Sequence, residues 1–305
     1  MRVVFAGSPA AAVPSLRALA RSRHEVAAVV TREDSAQGRK RLMTPTPVAA
    51  AAEELGLPII RANRLDHAAT AAITGLRPDL GVIVAYGGLV REPLLSVPIH
   101  GWINLHFSLL PRWRGAAPVQ HAIIAGDEVT GAAVFQLVPE LDAGDVFDSL
   151  TRRVGAHETA GRVLDELSLS GAELLLSVVD AIADGTAVAR PQAGEPSFAP
   201  KLTLADARID WLRSSQELHD LVRGVTPEPG AFTVVDDVRL KVLSAAVAHD
   251  AAPLPPGELR CVGGAVLVGT ASEPLELIEV LPAGKRAMAA SDWWRGLGVD
   301  RAVAS

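Results

Sequence analysis

Trp102-Ile103-Asn104-Leu105-His106-Phe107-Ser108-Leu109-Leu110-Pro111-Arg112-Trp113-Arg114-Gly115-Ala116-Ala117-Pro118-Val119-Gln120 is the stretch on which the reading of this chain turns. Its first five residues alternate as a strand does, so Asn104 and His106, two apart, leave the same face. A carboxamide donates two hydrogen bonds, and an imidazole donates, accepts or carries a proton near neutral pH. Side by side at a strand end, they suit a carbonyl carbon that becomes tetrahedral and leaves its oxygen negatively charged. Pro111 supplies no backbone donor and stops the strand. Arg112, Trp113 and Arg114 then set two cations and an indole on the loop, and Pro118 opens a helix expected to reach about Ala125. From spacing alone, an ordinary strand, loop and helix with polar residues at a sheet end reads nearly as well.

Upstream, Val3–Ala6 reads as a buried strand, followed by Gly7-Ser8-Pro9, an Ala/Leu-rich helix to about Ser22, and a second strand over Glu25–Val30. This β-turn-α-β opening predicts a doubly wound, mostly parallel sheet, with sites at the carboxyl ends of its strands. Gly7 stands alone where a dinucleotide fingerprint needs two further glycines, which argues against NAD or FAD. From Thr31 to Pro47 the connection is longer than usual and carries Gly38-Arg39-Lys40-Arg41. Three adjacent cations beside a glycine suit phosphates, and equally a solvated charge run. Leu57–Ile60 gives a third strand and the wholly apolar Leu80–Ala85 a central fourth. Tyr86 at its end is read as packing or as pocket lining.

Downstream, Ala132–Val138 is a strand that turns out through Pro139-Glu140-Leu141-Asp142-Ala143-Gly144-Asp145. Asp142 and Asp145 serve as turn formers, or one of them orients His106 and raises its pKa. A strand over Val146–Val154 and a long helix from Glu158 to about Ala183 follow. Pro191, Gly194, Pro196 and Pro200 then punctuate an expected linker. Beyond it come one short helix, Ser214–Gly224, and strands over 231–235, 238–247, 258–261, 265–269 and 275–281, a compact β-barrel. Trp293 and Trp294 are expected to cover that barrel. The expected organisation is 1–189, a linker 190–208, and a second domain 209–305.

With 49% apolar and 21% charged residues, 305 residues bury a substantial core. The single Cys261 excludes an internal disulfide and is expected in the core, in a reducing cytosolic setting. No apolar run reaches membrane-spanning length. A net charge of −6 argues against a basic coat for nucleic acid, so any RNA contact uses a local patch. The remaining histidines lack Cys or carboxylate at ligand spacing, and no metal is expected.

Taken together, these residues resemble the methionyl-tRNA formyltransferase family over almost the whole chain. The likeness rests on Asn104-Leu105-His106 with Ser108 to Pro118, on Leu141-Asp142-Ala143-Gly144-Asp145 and on Gly38-Arg39-Lys40-Arg41-Leu42-Met43. Phe198-Ala199-Pro200-Lys201 and Ala207-Arg208-Ile209-Asp210-Trp211 add to it. Thr226-Pro227-Glu228-Pro229-Gly230-Ala231 departs from the family's N-P-W-P-G-A, and Gly88 and Arg91 from its more apolar residues. The resemblance implies formyl transfer from 10-formyltetrahydrofolate to the α-amino group of methionyl initiator tRNA, in the cytoplasm and for translation initiation. It implies a formyltransferase-type Rossmann-like first domain and an OB-like β-barrel that contacts tRNA. Asn104, His106 and Asp142 are implied as catalytic, Ser108, Leu109, Leu110 and Pro111 as folate-binding, and Arg39, Lys40 and Arg41 as tRNA-binding. Alternatives sharing the Asn, His and Asp are an amino-sugar or purine-precursor formyltransferase, or a silent tRNA-binding relative.

Overall fold

The computed structural model describes residues 1–37 and 41–305. They fall into two compact units: 1–118 with 130–152 and 164–199, and 119–129 with 153–163 and 200–305.

The first half of the chain supplies β1 (Arg2–Gly7), α1 (Val13–Ala20), β2 (Glu25–Thr31), β3 (Ser35–Gln37), β4 (Leu42–Thr44), α2 (Pro47–Glu54), β5 (Ile59–Arg61), α3 (His67–Gly75) and β6 (Leu80–Val84). It continues through β7 (Trp102–His106), β8 (Arg114–Gly115), α4 (Pro118–Ile124), β9 (Val129–Gln136), β10 (Val146–Arg153), α5 (Ala160–Ala183) and β11 (Phe198–Ala199). Seven strands form one sheet in the order β10-β9-β7-β6-β1-β2-β5. From β7 to β5 the neighbours are parallel, and β9 runs antiparallel beside β7. The expected doubly wound, mostly parallel sheet is therefore present. The third strand falls at Ile59–Arg61, slightly later than the apolar run suggested, and the Thr31–Pro47 connection contains the short β3–β4 hairpin.

Alternation along β7 places the helices. Trp102 packs in one cluster with Ile73 of α3, while Leu105, on the opposite face, lies against Gly171 of α5. The sheet is thus covered on both sides. The indole of Trp102 is fully buried and donates to the Leu94 carbonyl at 2.9 Å. A Cβ on Gly81 of the neighbouring strand would sit 2.1 Å from that ring, so only glycine fits there. Tyr86 is also buried, its hydroxyl donating to the Ala62 carbonyl at 2.7 Å; it is a packing residue.

The second unit carries α6 (Ser215–Gly224), β12 (Phe232–Val235), β13 (Val238–Val247), β14 (Glu258–Val262), β15 (Ala265–Val268), β16 (Leu275–Pro282), β17 (Met288–Ala289), α7 (Ala290–Leu297) and β18 (Ala302–Val303). The strands are antiparallel in the order β12-β13-β16-β15-β14-β18, and a bridge between Val235 and Ala304 joins the last to the first. That closure makes the barrel and removes the open edges. Asp236-Asp237 and Gly263-Gly264 turn the two tight hairpins with positive φ at both residues, as such two-residue turns require. Ser214 and Glu217 form a capping box at α6, and the Ser214 hydroxyl pulls the Glu217 carboxyl down to about 2. Trp293 and Trp294 are buried in the barrel core, as expected. Cys261 is not: it shares a face with the buried Leu259 and pairs with the buried Val266, but burial along β14 ends after Leu259, and Arg260, Cys261 and Val262 run out exposed toward the Gly263-Gly264 turn.

Among the described residues, no helix is long and apolar enough to cross a membrane.

Candidate active site

The site begins at the carboxyl end of β7, where open α/β sheets place their ligands. His106 is buried and Asn104 half-buried, and strand alternation gives them the same face. The ring of Phe135, on the adjacent β9, meets the imidazole edge-on with centroids 6.3 Å apart. The chain after β7 folds back on itself. Ser108 donates its hydroxyl to the Arg112 carbonyl at 2.6 Å, and Trp113 adopts φ +62°, a left-handed conformation costly for so bulky a residue. That strained residue points its carbonyl at His106, whose Nε2 lies 2.9 Å from it. A carbonyl only accepts, so Nε2 carries the hydrogen and Nδ1 remains for other work.

Nδ1 lies 3.8 Å from Oδ2 of Asp142. Asp142 sits in the turn after β9 with φ +46°, a conformation that aspartate tolerates better than most residues. Its Oδ2 accepts the Gly115 backbone N–H at 2.7 Å. The turn could not be built otherwise: a Cβ on Gly144 would lie 1.8 Å from the Gln136 carbonyl oxygen. Of the two aspartates in this turn, Asp142 is the one brought to the imidazole, and Asp145 is exposed. Burial pushes the His106 imidazole below its ordinary pKa, while the Asp142 carboxylate and the Trp113 carbonyl pull the other way. The resting imidazole is therefore neutral at pH 7, with a basic Nδ1 beside a carboxylate ready to stabilise the cation. No side-chain hydrogen bond reaches the Asn104 carboxamide from the described residues.

Of the Ser108–Pro111 run, Ser108 is buried and its hydroxyl is spent inside the turn, while Leu109 lies over Gly131 of β9. Arg39 and Lys40 lie outside the described residues; Arg41, immediately before β4, is exposed. Sequence reasoning passed over two residues that hold the site. Ser197 takes the Trp113 N–H on its hydroxyl at 2.9 Å, and Gln192 bonds both the Asp142 turn and Arg114. Neither carries a periodic or motif signal of its own; the nearest pointer is Phe198-Ala199, which pairs with Arg114-Gly115 in a small parallel ladder.

The Formyl transferase family matches residues 1–179, and the Formyl transferase, C-terminal domain family matches residues 201–298. The methionyl-tRNA formyltransferase of Clavibacter sepedonicus is 63% identical over 304 residues, covering 100% of each chain. The chain belongs to the methionyl-tRNA formyltransferase family. That of Leifsonia xyli subsp. xyli is 64% identical over 298 residues, covering 98% of each chain. Among solved structures, a sugar 3N-formyl transferase determined with dTDP and 5-N-formyl-THF matches with a TM-score of 0.69 at 13% identity. It covers 94% of this chain and 99% of its own, a likeness of fold. Membership of the methionyl-tRNA formyltransferases makes the chain a formyl transferase of mixed architecture, with a Rossmann-like sheet and an antiparallel barrel.

Proposed function

We propose that this chain transfers the formyl group of 10-formyltetrahydrofolate to the α-amino group of methionyl initiator tRNA, with Asn104, His106 and Asp142 around the reacting carbon. The observation that carries the assignment of roles is the placement of the His106 ring: Nε2 lies 2.9 Å from the Trp113 carbonyl, which can only accept, and Nδ1 is turned to Asp142 at 3.8 Å. The site fits a formyl carbonyl and an amine together, since among the described residues the Asn104 amide has no hydrogen-bond partner to compete with a carbonyl oxygen, and His106 Nδ1, an acceptor, lies no nearer than 3.8 Å to Asp142. Family membership supports the substrates, and a charged tRNA as acceptor supports a cytoplasmic location.

In this reading Asn104 donates to the formyl oxygen as it takes up negative charge, a hydrogen bond whose removal costs about 10²–10³-fold in rate. Nδ1 of His106 accepts the proton that the attacking amine loses, and the imidazolium so formed faces the Asp142 carboxylate. The same proton is then given to the departing nitrogen, so the ring ends as it began. Positioned acid–base help of this kind is worth about 10²–10⁴-fold. Ser108 to Pro111 border the folate, with Ser108 contributing backbone and Leu109, Leu110 and Pro111 apolar surface. Arg39, Lys40 and Arg41 meet the phosphates of the tRNA acceptor end, and the barrel adds a second contact.

The test is a formyl-transfer assay that offers methionyl initiator tRNA, the uncharged tRNA and free amino sugars side by side. Transfer to the charged tRNA alone is expected. Transfer to the sugars, or none to the charged tRNA, overturns the reading.

A further inference from the structure

The turn that presents Asp142 is gripped from outside by the side chain of Gln192. Gln192 donates through Nε2 to the carbonyls of Asp142, at 2.8 Å, and Gly144, at 2.9 Å. Its Oε1 accepts from Nε and Nη2 of Arg114, at 3.2 and 2.6 Å. A carboxamide has two N–H groups and two lone pairs, and here all four are used. Arg114 directly precedes Gly115, whose N–H holds Asp142 Oδ2, so Gln192 spans both partners of that contact. Its neighbours along the chain complete the hold. Arg114 N–H bonds the Ser197 carbonyl at 2.8 Å, and the Ala116 and Ala117 N–H groups share the Ala199 carbonyl at 2.8 and 3.1 Å. The fit at Gly115 is close: its φ is +127°, and a Cβ there would lie 2.6 Å from that same carbonyl oxygen.

We propose that Gln192 is a positioning residue for the Asp142 carboxylate, and through it for His106, so that residues 192–199 are a working part of the transfer site. This rests on the roles given above to Asp142 and His106. The backbone at Asp142 is in the left-handed region at φ +46°, and both bonds from Gln192 fall on carbonyls of that turn. Without them, among the described residues, the carboxylate keeps the Gly115 N–H and its facing to His106, but the loop that carries Gly115 is then without its guanidinium anchor. Gln192 touches no reacting atom, and its effect is carried entirely by where Asp142 stands.

The experiment compares wild type, Gln192→Met, Asp142→Asn and the double variant in formyl transfer to methionyl initiator tRNA, measured across pH. Met keeps the length of Gln but neither donor. We expect Gln192→Met to lower kcat about 10-fold, below the ~10²-fold that a misplacement of 1 Å can cost. KM for both substrates should stay within about twofold, and the acid limb of kcat should move toward that of Asp142→Asn. The double variant should lose little beyond Asp142→Asn alone, as coupled residues do. Gln192→Glu, which keeps Arg114 but presents acceptors to both carbonyls, guards against a folding defect and should behave alike. Normal kcat in Gln192→Met and Gln192→Glu overturns the proposal, as does a loss that multiplies with Asp142→Asn and leaves the pH profile in place. If Asp142→Asn is itself at wild-type level, the underlying reading falls too. If only the Gln192 variants are normal, this inference falls alone.

Discussion

Asp142→Asn isolates one charge with little other change. Asn keeps an oxygen for the Gly115 N–H and tolerates the left-handed backbone that Asp142 occupies at φ +46°. What it removes is a carboxylate 3.8 Å from His106 Nδ1. Two unit charges about 4 Å apart interact by about 4 kcal/mol at an effective dielectric of about 20. With the amine's proton about half transferred in the transition state, roughly 2 kcal/mol of this is felt there, or about 30-fold in kcat. The pH profile gives an independent sign. A neighbouring carboxylate stabilises the imidazolium and so raises the imidazole pKa, against the burial that lowers it. Removing it lowers the pKa further, and the acid limb of kcat, where His106 becomes protonated and ceases to be a base, must move to lower pH. The assay is steady-state formyl transfer with both substrates saturating, across the pH range in which the wild type folds. A kcat within twofold of wild type, with the acid limb unmoved, would refute the coupling and leave Asp142 as a turn former.

Replacing Arg39, Lys40 and Arg41 by Ala should raise KM for the tRNA and reduce the salt slope of its logarithm by about 0.7–0.9 for each phosphate no longer neutralised, with folate binding unaltered; an unchanged slope removes those residues from the tRNA interface. Gly115→Ala forces a Cβ to within 2.6 Å of the Ala199 carbonyl at a φ of +127°, and should depress kcat by displacing the N–H that holds Asp142; activity at the wild-type level would mean the loop gives way freely. In the barrel, Thr233→Val leaves the buried Trp211 indole N–H, now 3.0 Å from the Thr233 hydroxyl, without its acceptor. Urea unfolding should show a loss of about 1–3 kcal/mol; a neutral result would show that the indole finds another partner.

How much of this was legible in the chain follows from what each signal encodes. The parallel sheet is written in the buried runs Val3–Ala6 and Leu80–Val84, and the barrel in short alternating strands separated by Asp236-Asp237 and Gly263-Gly264, because burial and turn geometry constrain residue type directly. Asn104 and His106 were readable for the same reason: a period of two fixes their common face whatever the tertiary fold. Cys261 misled because an apolar neighbourhood does not say where along a strand its cover ends.

The meeting of Asp142 with His106 was open on spacing alone, and became an expectation only through family resemblance. Thirty-odd residues and a strand reversal separate the two, and register between strands is decided by packing rather than by local preference. Gln192 and Ser197 stood furthest from view. They act on backbone carbonyls and N–H groups, which every residue possesses, so their partners leave no mark in the sequence. Their surroundings, Pro191, Gly194 and Pro196, are those of a linker, and a strap pinned to a loop beside the site needs much the same composition: no helix, little strand, and side-chain amides and hydroxyls free to reach backbone groups. A segment of that kind declares its role only when its hydrogen bonds are followed to their far ends. Here they end on the two loops that set the distance between a carboxylate and an imidazole.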